Sequence, residues 1–153
     1  MTEPFSPVPD DHDVLRFVVQ GGRFFPPGHT HPDPDWLIPT SKDKEEAARR
    51  GRVPGLSVWD THRCRLSQAR KLAERPHDHA YVAHVAALRG VAASLLPPSH
   101  PLDVVTDPLT ARRGEPGWDG HALIEGLARP AGAPKQVWTE LRERLTAHFR
   151  PAP

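Results

Sequence analysis

The sequence predicts an α+β fold: a single mixed sheet of four to five strands with helices mainly on one face. Three observations predict it. Short apolar runs recur within residues 55–60, 81–85, 102–108 and 120–126, each bounded by Pro, Gly or Asp, as strands of a small sheet are. Helix-like segments fall between these runs, which is the pattern of a layered α/β arrangement. Near the end of the chain Val137, Trp138, Leu141, Leu145 and Phe149 recur at helical spacing and form one apolar face. A length of 153 residues suits one domain with a proper core.

The elements follow in order. Residues 1–12 are polar and proline-rich and are expected as a flexible arm, with the domain over 13–150. The first strand is expected at 14–19 and ends at Gly21-Gly22, where glycine permits a turn. Residues 24–39 form a proline-laced loop pinned by Phe24, Phe25 and Trp36. A helix over 41–50 starts from Ser41 as cap, with acids early and Arg49 and Arg50 late, matching its dipole. It has almost no apolar stripe and is expected to be exposed or partly disordered.

The second strand is expected at 56–59. A helix over 67–75 turns Ala69, Leu72 and Ala73 inward and is closed by Pro76. The third strand spans 81–85. A helix through Leu88, Val91, Ala92 and Leu95 stops before Pro97-Pro98. Strands at 102–105 and 122–127 flank a charged turn, and a helix over 134–148 ends the domain.

Composition bounds the function. Sixteen arginines stand against four lysines, and asparagine is absent, which points to a GC-rich bacterial genome rather than to a function for arginine. The net charge is +1, and no long basic block gives the footprint of a nucleic-acid binder. A single cysteine, Cys64, leaves no intramolecular disulfide and no cysteine-rich zinc site, so a cytoplasmic location is expected. No run has the length of a membrane span, and the first residues are neither basic nor apolar as a secretory signal would be.

The order of segments resembles a group of small uncharacterised bacterial proteins. The matching residues are Arg16, 36–39, Leu56-Ser57-Val58, 83–89, 102–109 and His121 to Gly126, in the order "LSV", "VAxL", "LxVVxDPL" and "HALIxG". The resemblance covers about residues 14–127. It implies a compact α+β domain and carries no activity. This chain differs by a longer front loop and an added C-terminal helix.

Three groups of residues carry possible chemistry. His29, His31 and Asp33, in the string Gly28 to Asp35, have ligand types that zinc accepts, on an extended segment where residues two apart share a face. The plain alternative is a solvated, proline-stiffened loop. His77, His79 and His84 form a second string, expected as a turn followed by one buried imidazole. His121 stands at the mouth of the last strand, with Asp107 and Asp119 near in sequence to orient it as a general base. Arg16 and Ser57 are expected at the same end of the sheet, and an Arg, Ser, His set suits an anionic group. Ser57 lacks the G-x-S-x-G elbow, which argues against a nucleophile. The plain reading of His121 is a hydrogen bond to the turn after Thr106. Cys64 near His62 reads as a small buried residue.

The expected function is a non-catalytic binding or accessory protein acting through a protein partner, with no cofactor. One alternative is a histidine-based hydrolase of a phosphate or ester, with zinc as a possible metal. Another is a domain binding a small anionic ligand. A site is expected where Arg16, Ser57 and His121 meet, because strand-borne groups are held more rigidly than loop-borne ones.

Overall fold

A computed structural model describes residues 3–153. Six strands, β1 (Asp13–Val18), β2 (Gly55–Asp60), β3 (His79–His84), β4 (Asp103–Thr106), β5 (His121–Glu125) and β6 (Arg150–Pro151), form one sheet. Their order is β4-β5-β2-β1-β3-β6, and every pairing is antiparallel. The α+β class holds, and the expected mixed sheet of four to five strands is corrected. The strand-helix-strand order from β2 to β4 suggests parallel neighbours. β2, β3 and β4 do run in one direction, but β1 and β5 insert between them, so every hydrogen-bonded pair is antiparallel. The sixth strand is two residues long, too short to carry a period of its own.

Helices α1 (Ser41–Arg50), α2 (Leu66–Ala73), α3 (Val85–Leu95) and α4 (Lys135–Thr146) divide between both faces, rather than lying mainly on one. Alternation along each strand explains how both faces are covered. Val14, Val18, Leu56, Val58, Val104 and Ile124 point into the main core with Leu88 of α3 and Trp138, Leu141 and Leu145 of α4. Leu15 and Trp59 point the other way, against Cys64, Ala69 and Leu72 at α2. Among the described residues, no helix is long and apolar enough to cross a membrane.

Two local expectations change. Residues 5–8 of the expected arm lie along the outer edge of β4. Val8 donates to the Val104 carbonyl at 2.8 Å, Pro7 bridges Val105, and Val8 is fully buried. An edge position tolerates the prolines that obscured this segment in sequence. Helix α1 is capped by Thr40, not Ser41: Thr40 and Asp43 exchange side-chain and backbone hydrogen bonds in a capping box.

β1 and β2 pair only at Val14–Asp60 and Leu15–Trp59. Beyond that point Arg16 bridges the two strands. This separation opens a groove lined from both faces of the sheet, by Trp36 of the main core and by Trp59 and Leu72 of the other.

Candidate active site

The groove floor is built by sheet register. Trp59 stands directly opposite His121, and Ser57 opposite Leu123, so Ser57 and His121 are diagonal neighbours on one face. Ser57 Oγ is in hydrogen-bond contact with His121 Nε2. On the far side of the imidazole, Nδ1 lies 2.8 Å from the Asp107 backbone oxygen and 3.3 Å from its Oδ2. Asp107 is carried there because β4 and β5 stay paired to their ends: Thr106 faces Ala122, and the Asp107 N–H donates to the His121 carbonyl at 2.9 Å.

These partners assign the protons. Both groups at Nδ1 are acceptors, so Nδ1 carries the hydrogen. In the neutral imidazole Nε2 is then the lone-pair nitrogen, and the Ser57 hydroxyl donates to it. That is the arrangement in which an imidazole takes a proton from a serine. Trp59 closes the site edge-on, with ring centroids 4.9 Å apart.

Arg50, at the C-terminal end of α1, donates from Nη1 to Asp107 Oδ1 at 2.7 Å. Burial works against the Asp107 charge, but His121 and Arg50 outweigh it and hold the carboxyl below its usual range. Arg50 was not among the expected site residues. Its only sequence signal was a basic pair at a helix end, which the helix dipole explains by itself.

Arg16 reaches the same place from β1. Nη1 donates to the Ser57 carbonyl at 2.9 Å and Nη2 to the Trp36 carbonyl at 3.2 Å, with the guanidinium 5.6 Å from the centre of the Trp36 ring. Nε is buried without a hydrogen-bond partner among the described residues. Burial pushes the pKa of Arg16 down to about 10, so it stays a cation at neutral pH in a poorly hydrated setting.

A turn delivers His121. Gly117 has a φ of 87°, and a Cβ there would come within 2.7 Å of Cys64 Sγ. A Cβ on Gly120 would come within 2.5 Å of Cys64 Cβ. The turn therefore seats on Cys64, whose thiol is pushed up to about 11 by burial and is no nucleophile at neutral pH.

The groove comprises two adjoining clefts of about 660 and 720 Å³, within the range of small-molecule sites. Arg16, Ser57, Arg75, Leu109 and His121 line both. One arm is mostly apolar, with Phe17, Phe24, Trp36 and Leu72. The other passes beneath α1 and is charged, with Lys42, Glu46, Arg50 and Glu125.

The expected meeting of Arg16, Ser57 and His121 is thus found, and Asp107 rather than Asp119 lies against the imidazole. The other histidines are placed differently. His29, His31 and Asp33 are exposed, and Asp33 accepts from the Asp35 N–H to start the 3-10 turn Pro34–Leu37. Among the described residues, no three His, Cys, Asp or Glu side chains are grouped to hold a metal ion. His84, expected to be buried, is exposed and paired with Asp13 at 2.8 Å. His12, which no motif marks in the sequence, binds the buried Asp60 carboxylate at 2.8 Å and stacks on His62. Comparison with known proteins finds no family model, curated protein or solved structure that matches this chain.

Proposed function

We propose that the protein is a hydrolase of a carboxylic ester, with Ser57 as nucleophile, His121 as general base and acid, and Asp107 as the group that orients and stabilises the imidazole. The observation that carries this reading is the contact geometry at His121: the Asp107 carbonyl and carboxylate oxygens face Nδ1, and the Ser57 hydroxyl faces Nε2. Ser57 Oγ attacks the ester carbonyl and its proton passes to Nε2. The tetrahedral intermediate then expels the alcohol, which takes that proton. Water attacks the acyl-serine, gives a proton to Nε2, and the acid leaves as Ser57 regains its hydrogen. The missing elbow motif does not weigh against this, since here the base comes from the neighbouring strand of the same sheet. No metal is needed by this route.

A protein-partner role has less support. Exposed large hydrophobic residues among those described are Val19, Ile38 and Val53, scattered along the chain, while the apolar stripe of α4 is buried.

The test is hydrolysis of 4-nitrophenyl butyrate together with labelling by a fluorophosphonate. The wild type should release nitrophenolate and take the label at Ser57, identified by peptide mass. Ser57→Ala should lose the label, and Ser57→Ala and His121→Ala should each lose about 10²–10⁴-fold in rate. A wild-type protein with neither turnover nor label would overturn the proposal.

A further inference from the structure

We propose that the substrate carries an anionic group, a carboxylate or a phosphate, which Arg16 holds beside Ser57, while its apolar portion lies along Phe17, Leu72 and Leu109. This rests on the hydrolase reading and deepens it. Arg50, Arg52, Arg89 and Arg112 each have a carboxylate partner at 2.9 Å or less. For Arg16, among the described residues, the hydrogen-bond partners are two neutral carbonyl oxygens, and no carboxylate lies within ion-pair distance.

The neighbouring acids are already engaged. Asp43, whose charge acts on Arg16 from α1, accepts from the Thr40 N–H in the helix cap, and Asp78 lies 3.5 Å from Arg75. Arg16 is half-buried, and a partly desolvated cation with no counter-charge beside it is destabilising. Holding the carbonyl oxygens of Ser57 on β2 and of Trp36 in the 34–37 turn needs donors, not a charge. An incoming anion would supply the missing charge at the point where both arms of the groove meet. Its polar end would then sit beside the nucleophile, and the apolar arm would take the remainder.

The experiment titrates phenyl phosphate, phenylacetate and neutral benzyl alcohol into the protein, followed by tryptophan fluorescence, since Trp36 and Trp59 line the apolar cleft. The wild type should bind at least one anion about tenfold or more tighter than benzyl alcohol. The tighter of the two anions identifies the group. Arg16→Gln, shown folded by circular dichroism, should lose that preference, and Ser57→Ala should keep it. Failure of the wild type to prefer either anion overturns the inference, as does a folded Arg16→Gln that retains the preference. If Arg16→Gln does not fold, the wild-type comparison decides alone. Anion preference without ester turnover would sink the hydrolase reading but not this one. Turnover of a neutral ester without anion preference would do the reverse.

Discussion

Asp107 reaches His121 in two ways, and the distances rank them. Its backbone oxygen is 2.8 Å from Nδ1 and its carboxylate oxygen 3.3 Å. The backbone therefore sets the tautomer, and the carboxylate acts mainly through its charge on the imidazolium that forms. Asp107→Asn should then reduce ester turnover by about 10–10²-fold, less than the loss on removing Ser57 or His121. A loss equal to that of Ser57→Ala would show that the carboxylate, not the carbonyl, holds the proton in place. The same residue predicts an acid response. Its folded pKa lies below the unfolded value of about 3.9, so its contribution to stability is present above that value and is lost as pH falls through the folded pKa. Thermal melts should show the wild type losing more stability than Asp107→Asn below about pH 4.

The decisive element is the turn that feeds β5. Gly117 and Gly120 allow it to touch Cys64 in the turn before α2, and the register of β5 against β2 then sets where His121 stands. Gly120→Ala would drive a Cβ into Cys64 and neighbouring backbone, neither of which is the far end of a flexible side chain. Overpacking of this kind costs about 1–3 kcal/mol. The expected outcome is a lowered melting temperature together with weakened turnover, because the shift lands on His121. Unchanged stability in a denaturant titration would mean that α2 yields without cost, and that the turn is not what seats the histidine.

Across the whole molecule, α4 and the residues after it close the main core. Trp138, Leu141, Leu145 and Phe149 are each at most 2% exposed, and β6 completes the far edge on β3. Burying a large apolar side chain contributes about 1.5–3 kcal/mol, so these four together rival the total stability of an ordinary domain. Removing residues 134–153 should leave a chain without a cooperative thermal transition. Leu141→Ala, fully buried, should cost about 2–5 kcal/mol in a denaturant titration. A truncated chain that melts like the full one would make the helix an appendage.

What the sequence by itself determined is local. Apolar runs bounded by Pro, Gly and Asp marked β1 to β5 to within one or two residues, and the spacing of Leu141 and Leu145 marked α4, because periodicity is a property of neighbours in the chain. It also placed Arg16 and Ser57 on strands and His121 at the mouth of another, and that much of the site was legible. The rest depended on which strands lie side by side. Insertion of β1 between β2 and β3 turned the expected mixed sheet antiparallel. The separation of β1 from β2 beyond Leu15 opened the groove, and the pairing of β4 with β5 laid Asp107 against the imidazole. Arg50 joined them from a helix 57 residues away in the chain. Such contacts have no local signature, since strand order and register are chosen by burying both faces of the sheet at once, a choice made only by the assembled tertiary structure.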